Sequence, residues 1–330
     1  MAACCASTLL RVRGLSVAYD GDRQANLALH QLDLDINRRE IVGILGESGS
    51  GKSTLGLAML GLLPSKARIE GSICFEDKDL LQADESAWRQ VRGDKIAMIF
   101  QEPGLSLSPV MRIGDQVTEV IRAHHKGTKA QQKQAVEAAL RESGFSDVDR
   151  IYRAYPYQLS GGELHRVVIA QALVCRPSLM IADEPTRSVD ATLQVEVMKT
   201  LRDIQRKLGL GLIFITHNPA LLAGFADRVV VMYAGRIVEQ GPVEALFRKP
   251  LHPYTKGLLQ LVSRTPPHSG YVRQERLPAI PGNLTGSDNW TRACAFEPRC
   301  FARTELCRRE SPVEIETEGT RRVSCFNYGI

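Results

Sequence analysis

The chain lacks a hydrophobic run long enough to cross a lipid bilayer. No apolar stretch in its 330 residues approaches the roughly 20 residues that a membrane-spanning helix needs. Residues 1–6 have no basic segment and no sustained apolar core, so they do not resemble a secretory signal peptide. Both absences predict a cytosolic protein that reaches membranes only through partners.

A strong excess of charge of either sign is also missing, as are internal repeats and low-complexity tracts. The chain has 42 Lys and Arg against 37 Asp and Glu, a net charge of +5. This mild balance gives no strong case for a nucleic-acid surface, although it suits docking near an anionic membrane. The length allows one large domain with an appendage, or two modest domains.

A glycine-rich segment predicts a phosphate-binding loop. Residues 46–53 fit the pattern G-x-x-x-x-G-K-[ST] and lie between a strand-like apolar run and a helical pattern. The glycines let backbone N–H groups point at phosphate oxygens. We expect Lys52 to reach the β and γ phosphates and Ser53 to bind Mg²⁺. The residues predicted to surround the phosphates are Gly46, Glu47, Ser48, Gly49, Ser50, Gly51, Lys52 and Ser53.

Short apolar runs that end in polar residues predict a parallel α/β core. These buried-strand candidates are residues 41–45, 179–182 and 212–215. Asp183 ends the second run, where a further Mg²⁺ contact is wanted, and Glu184 can orient or deprotonate an attacking water. His217 follows the third run and could contact the γ phosphate. A purely structural histidine is the alternative.

Two further candidates are weaker by chemistry alone. Gln101 follows the strand-like run 98–100 and could place a water or Mg²⁺, but a glutamine at a strand end is unremarkable. Tyr19 precedes the turn at 20–22 and could stack on adenine, with ordinary packing as the alternative.

A second phosphate-binding surface follows more than 100 residues after the loop, and 20 residues before Asp183. It consists of Leu159, Ser160, Gly161, Gly162 and Glu163. Such a segment serves no purpose on the chain's own nucleotide, so we expect it to cap ATP held by another subunit. The sequence therefore predicts a dimer that forms with ATP.

Composition divides the chain into regions. Residues 8–19 and 32–36 alternate like antiparallel strands, and residues 104–175 are mostly helical, including a helix at 129–143 closed by Gly144. After residue 250, proline-rich turns lead into a loop-rich tail.

Four of the eight cysteines crowd the last 40 residues. They are Cys294, Cys300, Cys307 and Cys325, with the spacing C-x5-C-x6-C-x17-C. In a cytosolic protein this cluster favours a metal or an iron–sulfur cluster over disulfides. Zinc also accepts four cysteines, but the close C-x2–4-C pairs of structural zinc sites are missing. A tail without metal remains the third alternative. Nearby arginines, at 299, 303, 308 and 309, could offset the charge of an anionic cluster, but we expect them mainly to form solvated surface.

Taken together, residues 8–250 resemble the ATP-binding subunits of ABC transporters. By resemblance, Gly46–Thr54 is the Walker A motif, which adds Thr54 to the ATP contacts, and residues 159–163 are the signature motif. The remaining assignments are Gln101 as the Q-loop glutamine, Leu179–Asp183 as Walker B, Glu184 as the catalytic glutamate, Asp190 as the D-loop aspartate and His217 as the switch histidine. The resemblance implies catalytic roles for Glu184, His217 and Gln101, and Mg²⁺ contacts from Ser53, Gln101 and Asp183.

The Q-loop region, residues 252–255 and the cysteine tail narrow the resemblance to the oligopeptide, dipeptide and nickel importer subfamily, some of whose members carry a [4Fe–4S] cluster. The implied architecture is an α/β P-loop core at 1–250 with an antiparallel β subdomain, a helical subdomain inserted at about 104–175, and a small cysteine-bearing extension at 251–330. Two departures lie near the expected dimer seam. Arg187 stands where threonine is common, and Asn218 replaces an aspartate.

The implied function is ATP hydrolysis that powers import of di- or oligopeptides, with ATP, Mg²⁺ and a [4Fe–4S] cluster as cofactors. The expected partners are a homologous ATP-binding subunit in a heterodimer, two transmembrane permeases and an extracytoplasmic solute-binding protein. No nucleic acid is expected. The location would be the cytoplasmic face of the bacterial inner membrane. Uptake of nickel, metal chelates or antimicrobial peptides stays open, as does a soluble ABC ATPase that acts on ribosomes or DNA.

Overall fold

A computed structural model describes residues 8–19, 26–187, 189–260, 280, 282, 292–317 and 319–329. The predicted turn at 20–22 and most of the proline-rich tail lie outside these ranges.

Two sheets organise the described residues. The strands are β1 Thr8–Tyr19, β2 Asn26–Asn37, β3 Ile41–Leu45, β4 Ala67–Phe75, β5 Lys78–Asp79, β6 Ile96–Ile99, β7 Leu179–Asp183, β8 Gly211–Thr216, β9 Arg228–Tyr233, β10 Arg236–Pro242, β11 Ile315–Thr317 and β12 Arg321–Val323. The helices are α1 Lys52–Ala58, α2 Glu85–Val91, α3 Ile113–His124, α4 Lys129–Glu142, α5 Val148–Arg153, α6 Gly161–Leu173, α7 Ala191–Leu208, α8 Val243–Arg248, α9 Pro253–Gln260 and α10 Glu305–Arg309. Helix α1 ends earlier than the expected position near residue 63.

The smaller sheet is antiparallel, in the order β2-β1-β4-β5. Strand β1 alternates between buried and partly exposed residues, as expected for a sheet with one apolar face. The predicted antiparallel subdomain is confirmed. Strand β2 is longer than predicted, because pairing with β1 extends it back to Asn26.

The larger sheet has the order β11-β12-β10-β9-β3-β8-β7-β6. Its five strands from β9 to β6 are parallel, and β3, β7 and β8 are buried throughout. Parallel strands place their carboxyl ends at one edge of a sheet. The phosphate loop after β3 and the polar residues after β7 and β8 therefore meet at that edge.

One apolar cluster fills the space between the two sheets, with Val17, Ile44 and Leu55 fully buried in it. A second cluster covers the opposite face of the larger sheet and continues among α3, α4, α5 and α6. These four helices lie between β6 and β7 in the chain, which confirms the inserted helical subdomain. A capping box formed by Thr128 and Gln131 starts α4, and Gly144 (φ 97°) follows its end.

The C-terminal residues join the larger sheet. Strand β12 pairs with β10, bringing Val323 opposite Glu239, and β11 pairs with β12. Arg321 donates to the fully buried carboxylate of Glu239 at 2.8 Å. The larger sheet therefore includes strands from both sides of residue 250. The division of the chain into two domains at that residue remains a prediction. No helix among the described residues combines the length and apolar character needed to cross a membrane.

Candidate functional site

The phosphate loop is held by contacts that only glycine permits at two positions. A Cβ atom at Gly46 would lie 2.3 Å from the carbonyl oxygen of Met232. Gly51 has φ 98°, and a Cβ there would lie 2.8 Å from the carbonyl oxygen of Ala28. The loop is therefore packed directly against the backbone of neighbouring strands.

Lys52 lies beneath this loop and is 5% exposed. Its Nζ donates to the carbonyl oxygens of Gly46 and Glu47, both at 2.8 Å. Burial lowers the pKa of Lys52, while the nearby carboxylates of Glu184, Asp183 and Glu47 act in the opposite direction. The ammonium group thus lies at the loop with a surplus of negative charge around it.

One pocket brings together nine of the predicted residues. They are Tyr19, Ser48, Gly49, Gly51, Lys52, Ser53, Thr54, Gln101 and Glu184. Sequence reasoning missed four other residues of its lining, Leu27, Ala28, Ala234 and Gly235, and it placed a fifth, Arg187, at the dimer seam. The β2 and β9–β10 contributors carry no motif, and only the fold places them against the loop. Gly46, Glu47 and Ser50 belong to the loop but do not line this pocket.

The ends of β7 and β8 add carboxylates and an imidazole. Asp183 is 5% exposed, and its Oδ1 is buried without a hydrogen-bond partner. Burial raises the pKa of Asp183, and a hydrogen bond from the Ser53 side chain partly offsets this. Magnesium prefers oxygen ligands. The Ser53 hydroxyl and the Asp183 carboxylate, with its unpartnered Oδ1, therefore fit Mg²⁺.

Glu184 adopts a left-handed backbone conformation (φ 45°) and its N–H donates to the carbonyl of Ile215 at 3.0 Å. Its Oε1 lies 3.1 Å from Nδ1 of His217, and its Oε2 lies 3.6 Å from Nη1 of Arg187. A non-glycine residue in this conformation is uncommon and is found at functional sites. The Glu184 carboxylate therefore lies between two basic side chains.

The signature residues lie elsewhere. Ser160 is the N-cap of α6, where it forms a capping box with Glu163, and none of residues 159–163 is among the described residues that line the pocket beside Lys52. The backbone N–H of Ser160, followed by the Arg150 side chain, lowers the pKa of Glu163 to about 2. A Cβ atom added at Gly161 would meet nothing within 4 Å. The surface beside Gly161 is therefore open in the single chain.

Asp190 also serves as a helix cap. Its Oδ1 accepts from the N–H groups of Thr192 and Leu193, both at 3.0 Å, at the start of α7. Like the signature, it does not line the pocket described above.

The four C-terminal cysteines converge as free thiols. Burial raises the pKa of Cys294 to about 12, and the other three thiols act on it in the same direction. The N–H of Cys294 donates to the carbonyl of Cys307 at 2.9 Å. Cys325 is brought in by the turn after β12. Residues distant in sequence thus form one thiol group.

The described residues contain one compact group of potential metal-ligand atoms, and it lies outside the cysteine segment. Within the described ranges, three or more potential ligand atoms all within 4.8 Å of one another occur only at Asp94, His125 and Cys175. A direct Asp94–His125 contact of 2.7 Å accounts for that group.

The surrounding arginines differ from the expectation of a uniformly solvated surface. Arg303, Arg308 and Arg309 are exposed and pair with Glu297 or Glu305. Arg299, by contrast, is 9% exposed and turns inward. The surface interpretation is therefore wrong for Arg299.

Two family profiles match the chain. The ABC transporter profile covers residues 29–187 and the profile of the oligopeptide/dipeptide transporter C-terminal region covers residues 238–307. The oligopeptide transport ATP-binding protein AppD of Bacillus subtilis is 40% identical over 324 residues, 98% of this chain and 97% of that protein. The chain belongs to the ATP-binding proteins of ABC transporters.

Two other ATP-binding proteins of this family are similar to the chain over nearly its whole length. The dipeptide transport ATP-binding protein DppD of Haemophilus influenzae is 41% identical over 96% of this chain and 94% of that protein. The oligopeptide transport ATP-binding protein OppD of Escherichia coli is 38% identical over 97% and 94%.

The fold has solved counterparts. The cassette MJ0796, solved as a dimer and as a post-hydrolysis dimer with ADP and Pi, matches with a TM-score of 0.63 and 25% identity, over 71% of this chain and 99% of that one. The cbiO1 protein of Clostridium perfringens matches with a TM-score of 0.64 and 29% identity, over 73% and 91%. The ABC fold predicted from sequence is confirmed, and this member of the family is an ATPase.

Proposed function

We propose that this chain powers the import of di- or oligopeptides through partner membrane permeases. The observation that carries the proposal is the near full-length similarity to peptide transport ATP-binding proteins, which includes their characteristic C-terminal region. The proposed partners are a homologous ATP-binding subunit, two transmembrane permeases and an extracytoplasmic solute-binding protein. The complex would work at the cytoplasmic face of the bacterial inner membrane.

The nucleotide chemistry is proposed to use the residues at one edge of the larger sheet. Backbone N–H groups of residues 46–54 and the Lys52 ammonium bind the phosphates, while Tyr19 stacks on adenine. Mg²⁺, held by Ser53, Gln101 and Asp183, would neutralise phosphate charge. Glu184 orients the attacking water and accepts its proton. Its observed contact with His217 lets the imidazole keep this carboxylate in position beside the γ phosphate.

The second half of each ATP site is proposed to come from a partner subunit. Residues 159–163 and Asp190 do not line the chain's own pocket, and the surface beside Gly161 is open. Ser160 and the N–H groups of Gly161 and Gly162 would cap the γ phosphate of ATP bound across the interface. Closure then needs ATP, and hydrolysis removes the contact.

A substitution at Gly161 tests this arrangement. Gly161→Ala adds a methyl group that meets nothing in the single chain and lies in a helix, so its unfolding midpoint without nucleotide should be no lower than that of the wild type. In a Glu184→Gln background, which slows hydrolysis, ATP should join the chain to its homologous partner, and Gly161→Ala should prevent this. ATP-driven association that survives Gly161→Ala would contradict a trans role for the signature.

The transport assignment is tested separately. Tagged Glu184→Gln protein, purified from native membranes with ATP, should recover two permeases and a homologous ATPase. An accompanying solute-binding protein would then identify the substrate by its own ligand. Recovery of ribosomal or DNA-repair proteins without permeases would support the alternative of a soluble ABC ATPase. Nickel, metal chelates and antimicrobial peptides are the alternative substrates. The ligand found on the solute-binding protein would distinguish them.

A [4Fe–4S] cluster on Cys294, Cys300, Cys307 and Cys325 is proposed for the C-terminal extension. Four converging free thiols suit it, because iron–sulfur clusters are held by cysteine thiolates. A structural staple for a small, loop-rich segment is the proposed role, because ATP hydrolysis needs no redox step. Anaerobic purification with iron and acid-labile sulfide assays tests this. Zinc without sulfide would contradict it.

A further inference from the structure

The C-terminal extension contacts the phosphate loop directly, through a residue that no ATPase motif includes. Arg299 lies 252 positions from Glu47 in sequence, yet Nη1 of Arg299 lies 2.8 Å from Oε2 of Glu47 and Nη2 lies 3.2 Å from Oε1. This is a bidentate ion pair, the strongest geometry for a guanidinium group that binds a carboxylate. Glu47 is the second residue of the loop.

The surroundings of Arg299 show that its ion pair with Glu47 is largely buried and packed against an aromatic ring. Its side chain is 7% exposed, and Glu47's is 29% exposed. The guanidinium carbon lies 5.7 Å from the centre of the Tyr233 ring, and Nη1 also donates to the Tyr233 hydroxyl at 3.4 Å. Few exposed pairs repay the entropy of ordering two long side chains, but this guanidinium is already fixed on an aromatic face.

A second bond joins the same two regions. The N–H of Glu47 donates to the hydroxyl of Tyr254 at 2.9 Å, and Tyr254 is fully buried at the start of α9. Tyr254, Tyr233 and Phe296 pack together with ring centres 4.8 to 5.4 Å apart. Phe296 belongs to the cysteine segment, so one aromatic cluster ties that segment to the loop.

Charge explains what the pair does for the nucleotide. Asp183, Glu184 and Glu47 all act on Lys52, the loop's ammonium group. A triphosphate adds more negative charge at the same place, so a free Glu47 carboxylate opposes its binding. Pairing with Arg299 offsets the charge of this carboxylate, while the Glu47 carbonyl accepts a hydrogen bond from Lys52.

We propose that Arg299 is a positioning residue for ATP binding, through which the cysteine-bearing extension sets the charge and shape of the phosphate loop. Arg299 directly precedes Cys300 in a short 3-10 helix, Glu297–Arg299. The fold of the thiol segment therefore determines whether Arg299 reaches Glu47. The inference rests on the proposed ATP-binding role of residues 46–54.

The test is a double-mutant cycle on the full chain, measuring ATP affinity by calorimetry in the Glu184→Gln background. Arg299→Ala should weaken ATP binding at least about tenfold, equivalent to about 1.4 kcal/mol. Arg299→Lys keeps the positive charge but loses the bidentate geometry. Its ATP affinity should therefore lie between those of the protein with Arg299 and of Arg299→Ala. The matched control is Arg303→Ala, an exposed arginine of the same segment, which should leave ATP affinity unchanged.

Glu47→Gln supplies the decisive comparison. Once the acid is neutral, replacing Arg299 by Ala should change ATP affinity by less than about twofold relative to Glu47→Gln alone. A loss that is equally large in both backgrounds would mean that Arg299 acts only by keeping the extension folded, and it would overturn the proposal. Wild-type affinity for Arg299→Ala would overturn it too.

Two further readouts separate this inference from the proposed function. In steady-state hydrolysis by the complex with the homologous ATP-binding subunit, with Glu184 unchanged, Arg299→Ala should raise KM and leave kcat nearly constant, which a loss of the catalytic groups would not do. If the unsubstituted chain bound no ATP at all, the role of residues 46–54 would fail first. If it binds ATP and the cycle shows no coupling, only the role of Arg299 fails.

Discussion

His252 should make the stability of this protein fall in mild acid. Its imidazole is 2% exposed, and burial lowers its pKa to about 3. Nδ1 accepts a hydrogen bond from the N–H of Tyr254 at 3.0 Å, so protonation would bury a charge and break this bond. Since Tyr254 also accepts from Glu47, the acid-sensitive residue is two contacts from the phosphate loop.

The magnitude follows from linkage. Above the unfolded-state pKa of about 6.5, the imidazole is neutral in both states and the stabilisation is fully present. As the pH falls below that value, only the unfolded state takes up the proton, and unfolding becomes easier by about 1.4 kcal/mol per pH unit. Between about pH 7.5 and about pH 5.0 the loss is about 2 kcal/mol. At the lower pH the folded imidazole is still neutral.

The assay compares urea unfolding of the wild type and His252→Asn at both pH values. The Asn side-chain oxygen replaces Nδ1 as acceptor for Tyr254 and does not titrate. The other histidines are common to both proteins, so the difference between their pH-dependent changes isolates His252. We expect the wild type to lose about 2 kcal/mol more than the variant. Equal losses would refute the assignment of a buried, neutral His252.

Three other predictions test the site and its support. Asp190→Ala should cost about 1 kcal/mol of unfolding free energy by removing the α7 cap, while Asp190→Asn keeps the cap; a lower ATP-driven association in the Asn variant would report a role across the dimer. Asp183→Asn should raise the free energy of unfolding without nucleotide by about 1 kcal/mol, because a buried carboxylate is removed, yet abolish hydrolysis with Mg²⁺; unchanged hydrolysis would contradict the metal assignment. Arg321→Met should cost about 3 to 5 kcal/mol by leaving the buried Glu239 carboxylate uncompensated, and adding Glu239→Gln should recover a large part of that loss in urea unfolding.

Local patterns were sufficient to predict nine residues that line one pocket. The run 41–45, the glycine loop and α1 form a strand, turn and helix whose chemistry is contiguous in sequence. Asp183 and His217 follow apolar runs that could only be buried strands, so their common edge was predictable. The walls from Ala28 and Gly235 were not, because they approach through backbone pairing and carry no chemical pattern.

The C-terminal region shows the opposite case. Its turns and four cysteines were evident, but β11 and β12 are three residues each and acquire their strand form from pairing with β10. Arg299 was interpreted as surface because nothing nearby in sequence distinguishes it from Arg303. Its burial depends on an aromatic cluster assembled from residues 233, 254 and 296.

The sequence by itself determined the ATP-binding family and the order of its motifs, because both reside in short segments whose chemistry is local. Tertiary structure alone decided that the cysteine-bearing extension shares a sheet with the core and that Arg299 meets Glu47. Arg299 and Glu47 are 252 positions apart, so their contact depends on strand pairing and on the burial of Arg299 against the aromatic cluster. No local pattern encodes that contact.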